Sequence, residues 1–129
     1  MVDPVSLMVV EDNADIRAGL RDLFMLEGFA VDEAENGRVA IDRIDAGTRP
    51  SMIILDLMMP VMDGWEFLRQ IRTRPARHTP VVVLTALSYD ADTRSLEKLY
   101  GVRVLSKTLD IPQLLDIARE HRHEMRPPT

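Results

Sequence analysis

Four short apolar runs, each stopping at a polar side chain, constrain this chain more than any other feature. Ser6–Val10 reads Ser-Leu-Met-Val-Val and stops at Glu11-Asp12. Met52–Leu55 stops at Asp56, residues 80–84 stop at Thr85, and residues 102–105 run out near Lys107. An unbroken apolar run of this length suits a strand buried on both faces. Phe29-Ala-Val-Asp-Glu-Ala34 alternates and reads as a weaker strand. Segments of helical spacing separate the runs. Alternation of this kind requires crossover connections and a parallel sheet covered on both sides, an α/β fold.

The helices carry their own punctuation. Asn13 is placed to cap the first, with Ile16, Leu20, Leu23, Phe24 and Leu26 at helical spacing and Gly28 as the stop. Residues 38–46 follow, with Ala40, Ile41 and Ile44 on one face. Pro60 and Asp63-Gly64 mark a loop, after which Trp65, Phe67, Leu68 and Ile71 give a helix that ends before Pro75. Residues 89–100 form a polar helix held by Ala91, Leu96 and Leu99, and Asp110 caps a last helix carrying Leu114, Leu115, Ile117 and Ala118. The expectation is one domain over residues 1–129, with a core from about 5 to 120 and a frayed tail over 121–129.

Composition removes several chemistries. There is no cysteine, so a disulfide scaffold, a thiolate metal site and a cysteine nucleophile are excluded. The net charge of −5 argues against a free-standing nucleic-acid binder. No apolar run approaches the ~18 residues of a membrane span. The start, Met-Val-Asp-Pro, has no basic leader, so a cytoplasmic location is expected and membrane insertion is not. Acids outnumber bases 14 to 5 in residues 1–66, and bases outnumber acids 11 to 7 in residues 67–129. Solvated helix faces would produce that asymmetry, and so would an acidic cation site with a basic face elsewhere.

Parallel α/β sheets place ligand sites beyond the carboxyl ends of their strands. Those ends here deliver Glu11, Asp12, Asp56, Thr85 and Lys107. Three clustered carboxylates repel one another unless a cation intervenes, and an all-oxygen set favours magnesium or manganese over zinc. An ionised Asp56 is then a candidate nucleophile towards a phosphoryl group. Lys107 and Thr85 would stabilise the transferred oxygens. Taken singly, each residue has an ordinary explanation: a helix start, a local backbone bond, a solvated lysine. Their joint arrangement carries the reading.

The stretches Leu7-Met-Val-Val-Glu-Asp-Asn13, Ile54-Leu-Asp-Leu-Met-Met-Pro-Val-Met-Asp-Gly64, Val82-Val-Leu-Thr-Ala86 and Lys107 together resemble the receiver domains of two-component response regulators. The resemblance covers about residues 5 to 120. It implies a flavodoxin-like (CheY-like) three-layer fold, with five parallel strands in order 2-1-3-4-5 and five helices. It implies a phosphoacceptor signalling domain rather than an enzyme, phosphorylated on Asp56 by a histidine kinase or histidine phosphotransfer protein. Magnesium, or manganese in its place, would be held by Asp12, Asp56 and the backbone carbonyl of Met58, with Glu11 assisting through water. Thr85 and Lys107 would bind the phosphoryl group. A downstream protein target is implied, direct nucleic-acid binding is not, and a homodimer is one further arrangement.

The chain departs from the family's pattern at several places. Val104 stands where an aromatic usually precedes the lysine by three residues, and Tyr100 is out of register for that role. Thr108 stands where a cis proline usually follows the lysine, which favours a trans bond there. The stretch from Gly101 to Lys107 is one residue shorter than usual. Met58 and Leu87 flank the path of an attacking water and cannot orient it, so slow self-dephosphorylation is expected. Three competing readings are a phosphorylation-independent adaptor, a receiver cut from a longer regulator, and a metal-dependent phosphatase. The phosphatase is disfavoured because Met58 occupies the place of a second aspartate. A nucleotide fold is weaker still, with no Gly-rich loop after the first strand.

Overall fold

The structure, a computed structural model, describes residues 4–86, 91–107 and 110–125, the last three by backbone alone. In chain order the elements are β1 (Ser6–Val10), α1 (Ala14–Leu26), β2 (Ala30–Ala34), α2 (Gly37–Asp45), β3 (Met52–Leu55), α3 (Gly64–Ile71), β4 (Val81–Thr85), α4 (Ala91–Tyr100), β5 (Arg103–Ser106) and α5 (Ile111–Met125). The strands form one parallel sheet in the order β2-β1-β3-β4-β5. The strand–helix alternation predicts such a parallel α/β sheet, and the resemblance implies this flavodoxin-like strand order.

Alternate side chains of each strand enter different cores. Leu7, Val9, Ile54, Val82 and Leu84 pack with Leu20 and Phe24 of α1 and with Leu114 and Ala118 of α5. Met8, Val10, Ile53, Leu55 and Val83 pack with Ile41 and Ile44 of α2, Phe67 and Leu68 of α3, and Leu96 of α4. Burial on both faces is why β1, β3 and β4 are uninterruptedly apolar, whereas edge strand β2 keeps Asp32 and Glu33 half-buried.

The first helix ends as its glycine foretells. Gly28 adopts φ +93°, which L side chains avoid, and donates to the Met25 carbonyl. Phe29 donates to the Phe24 carbonyl, and the two rings meet edge to face at 5.8 Å. These paired bonds and the apolar contact are the Schellman termination. They turn the chain back onto the sheet.

Three expectations need correction, and one short turn is added. Leu26 and Ile16 face solvent, so α1 is anchored by Leu20 and Phe24. In α4 only Leu96 of the expected anchors is buried. Leu99 is 62% exposed, and Thr93 and Tyr100 supply the rest of the inward stripe at i−3 and i+4 from Leu96. A short 3₁₀ turn at Pro75–His78 carries the chain from α3 to β4. Finally, α5 does not fray at His121. It runs to Met125, with a His121 ring nitrogen 2.7 Å from the Ser51 carbonyl and the Arg122 guanidinium over the Phe29 ring at 4.6 Å. Residues 126–129 lie outside the described residues, as do Leu87 and Thr108.

Candidate functional site

Parallel pairing continues one residue past the strands, and this overhang assembles the site. The Glu11 amide donates to the Ala34 carbonyl, the Asp56 amide to the Val10 carbonyl, and the Lys107 amide to the Thr85 carbonyl, each at 3.0 Å. The four residues that end the apolar runs therefore stand in a row along the carboxyl edge of the sheet. Asp12 follows Glu11 outward, ahead of the α1 cap, where the Asn13 side chain accepts from the Ile16 amide.

Glu11 is 2% exposed and Asp56 is 5% exposed, whereas Asp12 faces solvent. One carboxylate oxygen from each of the three lies within 4.8 Å of the others. The Lys107 ammonium, 16% exposed, reaches between the two buried acids, 2.5 Å from Glu11 Oε1 and 3.3 Å from Asp56 Oδ2. The Glu11 contact is an ion pair by distance. Its angles do not make a directed hydrogen bond, so Oε1 is buried without a hydrogen-bond donor. The Met58 amide approaches Asp56 Oδ1 at 3.3 Å, and the Asn13 amide approaches Glu11 Oε2 at 3.3 Å. Burial alone would pull the Lys107 pKa down. The close contact with Glu11 and the field of both acids outweigh it, so the pKa lies above the ordinary lysine value and the ammonium stays charged.

These residues fit a hard divalent cation. The donors are all oxygens, none is cysteine or histidine, and a buried carboxylate oxygen is left without a hydrogen bond. The structure thus brings Glu11, Asp12, Asp56 and Lys107 into one cluster and sets the Met58 backbone against Asp56. Thr85 is buried at the end of β4, next along the edge, with its carbonyl bonded to Lys107.

Sequence reasoning missed the supports. Arg17, one turn into α1, donates to the Glu11 carbonyl at 2.8 Å and pairs with Glu33 of β2 at 3.3 Å. It ties the acidic loop to the edge strand. The only signal was a cation one turn after an acidic pair, opposite an acidic strand. The loop after Asp56 is equally constrained. The Met62 amide donates to the Pro60 carbonyl across Val61, which sits at φ +69°. This is the rare, strained form of the three-residue turn. Gly64 then donates to the Leu57 carbonyl and lies so close that a Cβ there would be 2.7 Å from the Asp56 carbonyl oxygen.

At the other positions of interest, Val104 pairs with Val83 and packs in the α2–α3–α4 core, while Tyr100 stands against Arg72. Tyr100 is therefore no substitute for an aromatic near Thr85. The Asp110 carbonyl accepts from Leu114 as a cap residue's should, but its carboxylate reaches back to the Ser106 amide at 2.8 Å. That bond fastens the end of β5, beside Lys107, to the start of α5.

Comparison with known proteins agrees with this geometry. The family model for the response regulator receiver domain matches residues 7–119. Response regulator MprA of Mycolicibacterium vanbaalenii is 42% identical over 83 residues, which cover 64% of this chain and 35% of that protein. The transcriptional regulatory protein ResD of Bacillus subtilis is 46% identical over 87 residues, covering 67% of this chain and 35% of that protein. The chain spans about a third of the length of the curated relatives it matches. Among solved structures, the response regulator TrrA of Thermotoga maritima in complex with Mg(2+)-BeF superposes with a TM-score of 0.76 at 26% identity, over 90% of this chain and 97% of that one. Chemotaxis protein CheY4 of Vibrio cholerae gives 0.80 at 27% identity, over 91% and 98%.

Proposed function

This chain belongs to the response regulator receiver family, and from that premise we propose that it accepts a phosphoryl group on Asp56 and signals by binding a protein target in a phosphorylation-dependent way. The observation that carries this reading is the ion-paired row of Glu11, Asp56 and Lys107 at the sheet edge, completed by the exposed Asp12. The donor would be a histidine kinase or phosphotransfer protein in the cytoplasm. Among the described residues no helix is long and apolar enough to cross a membrane.

In the transfer, an Asp56 carboxylate oxygen attacks phosphorus as the P–N bond of a phosphohistidine breaks. The electron pair leaves on the imidazole nitrogen, which takes up a proton, and an O–P bond forms on Asp56. The contacts from Met58 and Lys107 hold the two Asp56 oxygens and so fix the plane of the nucleophile. The Lys107 ammonium stands where the transferred oxygens would gather charge, and Thr85 ends the neighbouring strand with a hydroxyl to bind one of them. Magnesium, or manganese in its place, held by Glu11, Asp12, Asp56 and the Met58 carbonyl, would neutralise the clustered carboxylates. The Met58 side chain is exposed and apolar beside the acceptor, which offers no hydrogen bond to orient a water. The aspartyl phosphate is accordingly long-lived, and the chain acts as a phosphoacceptor rather than a turnover enzyme.

The test is intact mass after incubation with acetyl phosphate, with magnesium and then with EDTA. The expected result is a gain of one phosphoryl group that needs the metal and is lost in Asp56→Asn. No gain despite bound magnesium would replace this reading with that of a phosphate-independent adaptor.

A further inference from the structure

A cleft opens at the end of the sheet away from Asp56, where α3 ends and β4 begins. Its volume is about 380 Å³, inside the ~300–1,000 Å³ range of small-molecule sites. Its apolar wall is formed by the buried Ile71, Val81 and Val102. Its polar wall is formed by Arg72, Arg77 and His78, all solvent-facing. A second hollow of about 220 Å³ shares those three residues and Tyr100, and adds Leu99.

Three observations bear on what this wall would hold. Among the described residues Arg72, Arg77 and His78 form no ion pair with a carboxylate, as is also true of Arg43, Arg49 and Arg103, and Arg77 donates to the Arg74 carbonyl at 3.3 Å. No acidic side chain lines either hollow. The Arg72 guanidinium lies over the Tyr100 ring at 5.0 Å, so the mouth of the cleft pairs a cation with an aromatic face. Two guanidinium groups with no carboxylate beside them favour an anion, and the His78 ring adds a polar edge. A tyrosine–arginine pair beside an aliphatic wall calls for a flat ring.

We propose that this cleft binds a small organic anion built on a flat ring, with the chemistry of a nucleoside monophosphate: the ring against Tyr100, Arg72 and the aliphatic wall, the phosphate against Arg77 and His78. The recognition is by side chains and needs no glycine-rich loop. An anion alone would leave the apolar wall unused, and a neutral ring alone would leave the guanidinium groups unpaired. The site is independent of Asp56 chemistry.

The test is amide NMR of the whole chain in EDTA, which keeps phosphate from being recruited through metal at the acidic cluster. The chain is titrated separately with adenosine monophosphate, adenosine and inorganic phosphate up to about 10 mM, where a site of roughly millimolar affinity would fill. The expected result is saturable shifts at Arg72, Val81, Gly101 and Val102 with the monophosphate, and about tenfold weaker binding of either fragment. Arg77→Gln weakens the monophosphate about tenfold. Tyr100→Leu weakens it similarly and leaves phosphate unchanged, and Arg72→Lys, which keeps the charge but loses the plane, falls between. Arg77 and Arg72 are surface residues, so those variants remain folded even if Tyr100→Leu does not. The proposal is overturned by absence of shifts, by shifts centred elsewhere, by phosphate binding as tightly as the monophosphate, or by variants that bind like the parent.

Discussion

The same substitution, glycine to alanine, should have opposite signs at two helical positions of this chain. At Gly64, the first residue of α3, an added Cβ would stand 2.7 Å from the Asp56 carbonyl oxygen, 2.8 Å from Leu57 Cα and 2.9 Å from Leu57 Cδ2. Two of these are backbone atoms of the strand-to-helix loop and cannot rotate away. Restoring ordinary contact at about 3.5 Å requires the loop to move by about 0.8 Å, and the loop begins at the acceptor residue. Overpacking of this kind costs roughly 1–3 kcal/mol, against a helix-propensity gain of at most about 1 kcal/mol. Gly19, in the exposed middle of α1, has nothing within 4 Å of the added Cβ and collects the gain alone. Urea unfolding followed by the fluorescence of Trp65 measures both. Gly19→Ala should stabilise by about 0.5–1 kcal/mol, and Gly64→Ala should lose stability and weaken magnesium binding. Equal stabilisation by the two would refute the claim that Gly64 is fixed by close approach to Asp56.

Val61 is 81% exposed and held at φ +69°, a costly conformation for a β-branched residue. Val61→Gly should raise the unfolding midpoint by an amount equivalent to about 0.5–2 kcal/mol, after the extra entropy of the unfolded glycine is deducted, and no change would show that the turn is not strained. Arg17→Met removes the tie between Glu11 and Glu33. It should weaken magnesium binding severalfold in calorimetry while Arg21→Met, which touches Glu33 but not Glu11, does so less. Glu27 is held below the ordinary carboxylate range, chiefly by its hydrogen bond from Arg119, with burial opposing and the charges of Arg119 and Arg122 assisting. A carboxylate depressed in the folded state stabilises above its unfolded value near 4.5, and that contribution is lost as pH falls through the lower folded value. Glu27→Gln should therefore flatten the loss of stability between about pH 5 and pH 3 and leave the trend above pH 6 unchanged. An unaltered acid limb in thermal melts would refute the linkage.

What was legible in the sequence follows from what burial does to composition. Strands β1, β3 and β4 are covered on both faces, so they could be read as uninterrupted apolar runs and bounded to within a residue. Their overhanging acids were legible because a charge at the end of such a run has nowhere to go but the sheet edge. Helix faces were read less well. Leu26, Ile16 and Leu99 match helical spacing yet point to solvent, while Thr93, a polar residue, is buried. Spacing defines a stripe but does not say which of its members the neighbouring elements cover. The supports of the site were illegible for a different reason. Arg17 acts through a backbone carbonyl, and Gly64 through the space it leaves empty. The end of α5 was lost because His121 and Arg122 look like a solvated tail until Ser51 and Phe29 are brought to them by the fold.

Charge arithmetic explains why the cluster holds together before any phosphoryl group arrives. Three carboxylates and one ammonium leave a local charge of −2, and two of the acids are almost wholly shut off from water. Lys107 lies between those two and reduces their mutual repulsion. It does so through a close ion pair with Glu11 Oε1 and a longer one with Asp56 Oδ2. A divalent cation would bring the sum to zero. A phosphoryl group added to Asp56 would then bring further negative charge to the edge of the sheet. The ammonium is the one charged group there free to turn toward it, because the cation would have taken over its work between the acids. Lys107 belongs to the turn that closes β5, and the Asp110 carboxylate bonds β5 to the start of α5. Val104 lies within that strand, paired with Val83 and packed in the core, so no aromatic ring occupies that position.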